Sequence, residues 1–427
     1  MDLVTEVAPP TLVDLDLEFV RSRFPAFTSP TLADWSFFEN AGGSYACGHT
    51  IDALTRYYTE LKVQPYGVFP ASATAGAQMD RSRRRWAEAL GVDPTEVHFG
   101  PSTSMNTYVL AQAISGTLGP GDEVVVTNQD HEANTGAIRR AAERAGARTV
   151  EWQVDPDTGL LDQEDLGARL GSRTRVVTFP HASNVVGQEN DVQMLTAMAH
   201  EAGARVIVDG VSFAPHTFPN VADLNPDVYL FSLYKTYSVH QGLMVVRNGW
   251  IDELPNQGHY FNESLPGKRL TPAGPDHGQI AAAGAVLDYV EELAAHHTSR
   301  ELPLRQATEF VSGLWRRHET ALLEPVLEQL RADARVRILG PDTTDAGAGL
   351  HRCPTVAIVP RDRAPIDVAA SLVAANIMPG VGHFYAKRLV EALGVDAESG
   401  TLRLSFVHYT SREDVSRLSE ALDAALA

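Results

Sequence analysis

Between residues 96 and 247, short apolar runs alternate with helix-length stretches, and this alternation limits the fold more than any other feature of the chain. EVHFG (96–100), DEVVVTNQD (122–130), TRVVTFPHAS (174–183), ARVIVDGVSF (204–213), DVYLFS (227–232) and GLMVVR (242–247) read as strands. Apolar periodicity through Tyr108, Val109, Ala113 and Ile114 predicts a helix after the first strand. A second helix ends at Ala145, with Gly146 as its left-handed stop, and a third covers 191–202. Such alternation implies a mostly parallel sheet covered on both faces, an α/β fold.

The flanks are read more coarsely. Residues 1–36 predict an arm and a helix around Val13–Arg23, packing on a small domain. FFENAGGSYACG (37–48) is a strand end entering a glycine-rich loop, and Pro255–Gly274 is a turn-rich surface loop. Helices are expected from about Gly278 to His296 and from Glu301 to Ala334. Alternation then returns with VRILG (336–340), TVAIVP (355–360), helices near Ile366–Asn376 and Tyr385–Leu393, and TLRLSFVHY (401–409). A capping box of Thr410 and Glu413 opens the last helix. The expected division is an arm (1–36), a large α/β domain (37–290) and a small C-terminal α+β domain (291–427).

Composition removes several function classes. Acidic residues number 54 against 35 basic ones, a net charge of −19, which repels nucleic acid and anionic membrane surfaces. Two cysteines, Cys47 and Cys353, and no C-x-x-C leave no disulfide framework and no zinc knuckle, so no metal is expected. No apolar run approaches the ~20 residues that span a bilayer. The N-terminus is acidic and lacks the basic start of a signal peptide, so the expectation is a cytoplasmic protein.

In an open parallel sheet, ligands bind at the carboxyl ends of the strands. Five strand ends here carry polar groups: Ser102-Thr103-Ser104, Asp130-His131-Glu132-Ala133-Asn134, His181-Ala182-Ser183-Asn184, Asp209, and Ser232 with Tyr234 and Lys235. Hydroxyls at a helix start suit a phosphate, and they equally suit an N-cap. Asp209, ending an apolar strand, needs a cation or strong donors, or it caps its own turn. Lys235, following another core strand, is an ordinary lysine if solvated and a carbonyl nucleophile if buried. Together they are what a pyridine-ring cofactor with a phosphate tail and an aldehyde requires. No G-x-G-x-x-G follows any strand, which argues against a Rossmann nucleotide site.

ENAGG, PSTSMN, DHEAN, SNVVG, VDGVSFAPH, SLYK and RLSFVHYTSRED occur in that order along nearly the whole chain. In this the sequence resembles the class V aminotransferase family of pyridoxal-phosphate enzymes, which includes cysteine desulfurases, selenocysteine lyases and isopenicillin N epimerase. The resemblance implies the aspartate-aminotransferase-type fold (fold type I), pyridoxal 5′-phosphate as cofactor, an amino-acid substrate, and a homodimer with active sites at its interface. It implies Lys235 as the Schiff-base lysine and Asp209 at the pyridine nitrogen. His131 would stack on the ring, Asn184 would face the ring hydroxyl, and Ser212 would stand where desulfurases often carry Gln. Ser102, Thr103, Ser232 and Tyr234 would hold the phosphate. Arg403 would clamp the substrate α-carboxylate, with Ala41 and Gly42 beside the substrate.

Three departures qualify that pattern. Desulfurases carry a reactive cysteine in a G-H-H-C-A type segment, whereas this chain reads GVGHFYAKRL with Tyr385 at that position. The usual G-T-P-N is replaced by AGPDHGQ with Pro275, leaving the partner-subunit phosphate contact unassigned and Asp276 and His277 nearby. After the lysine, YSVHQG replaces Y-G-P-H-x-G, altering the pocket near Ser238 and His240. The expected catalytic residues are Lys235, His131 and Tyr385. The expected reaction is C–S β-elimination of an S-substituted L-cysteine to thiol, pyruvate and ammonia, since similar sequences include C–S lyases without the persulfide cysteine, some in sulfur-containing natural-product (antibiotic) biosynthesis. Decarboxylation-coupled oxidative deamination of an S-cysteinyl conjugate is the runner-up and epimerisation the third. A noncatalytic cofactor-binding protein is the alternative from a different class.

Overall fold

The computed structural model describes residues 14–344 and 351–427. Val13, in the expected first helix, lies outside them, and the helix is shorter than expected, Leu17–Ser22, with the Asp16 carboxylate capping it through Phe19 N–H. The strands are β1 (Ser36–Phe37), β2 (Val97–Gly100), β3 (Glu123–Thr127), β4 (Arg148–Trp152), β5 (Thr174–Pro180), β6 (Arg205–Asp209), β7 (Val228–Ser232) and β8 (Gly242–Val246). Further on come β9 (Val336–Leu339), β10 (Thr355–Pro360), β11 (Ile377–Met378), β12 (Gly380–Gly382) and β13 (Thr401–Ser405).

The main sheet has the order β2-β8-β7-β6-β5-β3-β4. Neighbours from β7 to β4 pair parallel, while β8 pairs antiparallel with both β7 and β2. The mostly parallel α/β sheet therefore forms as expected. Its two faces follow the period of two along each strand. Val125, Val177, Val206, Val208, Tyr229, Phe231 and Val245 enter a core with Trp86, Trp152 and Trp315. Val124, Val126, Val176, Ile207, Leu230 and Met244 enter a second core with Leu110 and Ile138 on the opposite face. A separate antiparallel sheet, β12-β13-β10-β9, packs Val356, Ile358, Leu402 and Leu404 against Leu322, Leu327 and Leu330 of the long helix Leu304–Ala332.

Some elements differ from the expectation. The helix Pro70–Leu90 and strand β4 were not anticipated. The former is rich in small and charged residues, and the latter is a half-exposed sheet edge whose Arg148 and Glu151 blur its pattern. The expected helical region from Gly278 is two helices, His277–Ala283 and Ala285–His297, meeting at Gly284. The capping box of the last helix is not Thr410–Glu413. Ser411 caps Asp414 N–H, and the Asp414 carboxylate accepts from Ser411 N–H, so the helix runs from Arg412 to Leu426. Thr410 is drawn inward instead, where its hydroxyl accepts from Val407 N–H.

Candidate active site

The carboxyl ends of β2, β3, β5, β6 and β7 lie along one edge of the main sheet. Gly242, starting the reversed strand β8, joins them there through its register with Gly100 and Ser232. A cavity of about 550 Å³ opens at this edge. It is lined by Ser102, Thr103, His131, Asn184, Asp209, Ser212, Ser232, Tyr234, Lys235 and Tyr385, all predicted from the sequence. Ser104, Asp130, Glu132, Ala133 and Ala182 of the same strand ends and His240 also line it, and the structure adds Pro180 and Val211. Ala41, Gly42 and Arg403 are not in its lining.

The end of the cavity at Ser102, Thr103 and Ser232 is built by close approach. The helix Thr103–Ser115 starts at the sheet edge, and its N-cap Ser102 accepts from Met105 N–H, so the capping role is realised. The Thr103 hydroxyl lies 2.7 Å from that of Ser232. A Cβ on Gly242 would collide with the Ser102–Thr103 peptide, 2.5 Å from Thr103 N, so only glycine lets this helix start sit on β8. A helix N-terminus with two hydroxyls beside it is a ready anion site.

Lys235 and Asp209 are both buried at the cavity wall. Burial first, and then the Arg403 charge, bring the lysine down to about 8. Burial raises the Asp209 carboxyl to about 6, against the opposing effects of Val211 N–H and Lys235. Among the described residues the Asp209 side chain accepts only the Val211 N–H, at 2.8 Å, and no hydrogen bond or ion pair holds the Lys235 ammonium. A buried acid and a buried amine that face one cavity without pairing are costly unless a ligand engages them.

His131 is held by its own turn: Nδ1 accepts from Ala133 N–H at 3.0 Å, capping the helix Glu132–Ala145. Burial, with Lys235 and Arg403 nearby, lowers it to about 3, so the ring is neutral and carries its proton on Nε2. Asp130 is pushed well up by burial and by Asp209, and its Oδ2 accepts from Asn134 Nδ2. The Asn184 side chain donates to Phe384 O. His181 turns away from the cavity, bonds Tyr229 Oη at 2.8 Å and stacks on Phe213.

Tyr385 is the exposed member, with 69% of its surface free, and its ring stacks on His131 with centroids 5.2 Å apart. Phe384 and Tyr385 both have left-handed φ, 50° and 58°, a strain of about 1–2 kcal/mol each. Three contacts hold that turn: Glu132 N–H to Tyr385 O, Asn184 to Phe384 O, and the Phe384 ring under the Arg403 guanidinium. Of the other altered segments, His240 lines the cavity and stacks on Tyr234, while Ser238 is buried behind it and donates to Ala283 O. Asp276 caps the helix His277–Ala283 through Gln279 N–H. Cys47 and Cys353 are buried and absent from the lining, and burial raises both thiols. Among the described residues no group of three His, Cys, Asp or Glu is placed to hold a metal ion.

The residue that sequence reading passed over is Glu39, which holds Arg403 through both carboxylate oxygens. It stood inside a quoted motif, ENAGG, but nothing local marks its partner.

The family model described as Aminotransferase class-V matches residues 36–418. Aminotransferase-like protein FGM3 of Gibberella zeae is 30% identical over 96% of this chain and 98% of its own length. Cysteine desulfurase-like protein ustD of Aspergillus flavus is 27% identical over 96% of this chain and 90% of its own. Among solved structures, the cysteine desulfurase of Thermococcus onnurineus NA1 superposes with a TM-score of 0.82 at 24% identity, covering 98% of this chain and 99% of that one. A C-DES variant with glycine linked to its PLP cofactor gives 0.73 at 18% identity, over 94% and 98%. The unpaired Lys235 and Asp209 and the hydroxyl-lined helix start fit that cofactor's aldehyde, ring nitrogen and phosphate, and with the match running through both sheets the chain belongs to the class V aminotransferase family, with pyridoxal phosphate as its cofactor.

Proposed function

We propose that this enzyme cleaves the C–S bond of an S-substituted L-cysteine, and that it does not form a persulfide. The observation that carries this reading is Tyr385, which stands at the cavity in the segment where desulfurases place their thiol, while both cysteines are buried elsewhere. Persulfide formation needs a thiolate that reaches the substrate sulfur.

Bound in the cavity, pyridoxal phosphate supplies an aldehyde for the substrate amine and a ring that accepts electrons from Cα. The protein's part is positional and acid–base. Asp209 would keep the ring nitrogen protonated. Ser102, Thr103, Ser232 and Tyr234 would hold the phosphate, and Asn184 and Ser212 would flank the ring. Lys235, lowered to about 8, is a competent base for the Cα proton near neutrality. Departure of the thiolate from Cβ and addition of water then give thiol, pyruvate and ammonia. Tyr385 and His131 would border the leaving group.

Decarboxylation is the second reading, because Glu39 already occupies the Arg403 guanidinium that would fix the carboxylate in the ring plane. The same proposal includes a homodimer, supported by exposed apolar groups such as Tyr66, Phe69, Tyr260 and Phe261, and a cytoplasmic location. No helix among the described residues is long and apolar enough to cross a membrane.

Mass spectrometry of products from a panel of S-substituted cysteines tests the reading. Pyruvate with free thiol is expected, and Cys47→Ser/Cys353→Ser should keep its turnover. Carbon dioxide with an aldehyde-type product would establish decarboxylation, and unchanged mass with inverted Cα would establish epimerisation. Persulfide trapped on either cysteine would return the enzyme to the desulfurases.

A further inference from the structure

Arg403 is 2% exposed, and a guanidinium so buried is costly unless an anion faces it. Glu39 is that anion. Arg403 Nη2 donates to both Glu39 carboxylate oxygens, at 2.8 and 2.9 Å, and Nη1 donates to Asn184 O at 3.1 Å. Nε is buried without a partner, and the Phe384 ring lies 3.7 Å from the guanidinium carbon. The guanidinium is thus held by Glu39, Asn184 and Phe384, with Nε–H left without a partner.

The Glu39 carboxylate has a built seat. Backbone pairing of Glu39 with Ser405 sets it two residues from Arg403 across the sheet extension. A Cβ on Gly42 would lie 2.5 Å from Glu39 Oε1, and one on Gly380 would press on Oε2. Glycine at both positions leaves a slot that fits one carboxylate. The Glu39 side chain is 29% exposed and Arg403 lies behind it, away from the cavity lining. A substrate carboxylate that reaches Nη2 has to take the place Glu39 holds.

We infer that Glu39 is a specificity-determining residue: an internal carboxylate that occupies Arg403 and that a substrate's α-carboxylate must displace, whereas an amine without a carboxylate binds at no such cost. This rests on the proposed reading of Arg403 as the α-carboxylate clamp. It also adds to that reading, because the clamp is closed in the resting site and the substrate opens it.

The test uses the purified holoenzyme. Glycine and methylamine, which differ by the carboxylate alone, are titrated by the change in cofactor absorbance, and acetate is titrated by calorimetry to read the guanidinium without any amine chemistry. Glu39→Gln removes the competing charge at nearly constant volume. Gly42→Ala keeps that charge but crowds it off its seat, so it serves if the first variant misfolds. Both should bind glycine and acetate about tenfold or more tightly than wild type, with methylamine changed by no more than about twofold. Unchanged or weaker glycine and acetate binding in both variants, with binding still lost in Arg403→Ala, would overturn the inference and leave the clamp standing. Arg403→Ala binding glycine and acetate as wild type does would remove the clamp reading itself, and the inference with it.

Discussion

Lys235 shows what burial does to one residue. A lysine after a strand is unremarkable in sequence, and in the fold its amine loses water without gaining a partner, which lowers it to about 8 from 10.5. In the cofactor-free protein below that value, the folded state carries the desolvation cost while the unfolded chain does not. Between 8 and 10.5 the unfolded chain holds the extra proton, so stability rises with pH across that window. Lys235→Met should therefore stabilise the cofactor-free protein at pH 7 by roughly 2–3 kcal/mol, with the gain shrinking as pH climbs from 8 toward 10.5. Urea denaturation across that range measures it, and a pH-independent gain would mean the amine is solvated. Lys235 and Asp209 were legible because Asp209 ends a recognisable strand and Lys235 follows another. Glu39 was not, because its partner Arg403 lies 364 residues away and no local pattern links the two.

At the scale of elements, the strands were readable because period-two burial writes them into the sequence, and the helix stop at Gly146 because φ of 73° favours glycine. The reversal of β8 within the main sheet was not readable. Gly242 brings Ser102 and Thr103 against β8 only because β8 runs opposite to β7. Gly242→Ala should push the helix Thr103–Ser115 off the sheet edge and weaken pyridoxal phosphate binding about tenfold or more, since a helix start acts on an anion only at hydrogen-bond range. Equilibrium dialysis of the cofactor checks it, and unaltered affinity would show that the phosphate is held elsewhere. The capping box teaches the same lesson on a smaller scale. TSRED offers two overlapping registers, Thr410–Glu413 and Ser411–Asp414, and packing of Thr410 inward selects the second.

At the scale of the whole molecule, Asp414 ties both ends of the described chain together. It pairs with Arg21 of the first helix, accepts from Ser36 Oγ at 2.7 Å, and caps its own helix with Ser411. Burial raises its carboxyl, but Arg21 and the Ser411 hydrogen bonds outweigh that, and it ends below its ordinary 3.8. A carboxyl lowered on folding contributes stability above its unfolded pKa and loses it as pH falls through the folded value. Asp414→Asn should cost about 1–2 kcal/mol at pH 7 through the charge-assisted hydrogen bonds it weakens, and the difference from wild type should shrink as the medium is acidified below 3.8. Urea midpoints from pH 7 downward test this, and a cost that persisted in acid would assign the effect to shape rather than charge.

Sequence by itself determined the α/β alternation, the polar set at five strand ends, the ordered motifs and the lack of a thiol at Tyr385, because each is local or repeats along the chain. Tertiary structure decided three other things. It left Lys235 and Asp209 buried and unpaired on one cavity. It laid Tyr385 over His131 through a left-handed turn whose carbonyls accept from the distant Glu132 N–H and Asn184 side-chain amide. It set Glu39 on Arg403 between two glycines. The physical reason is common to all three: desolvation and ion pairing depend on what lies within a few ångströms, and here those neighbours come from segments far apart in the chain.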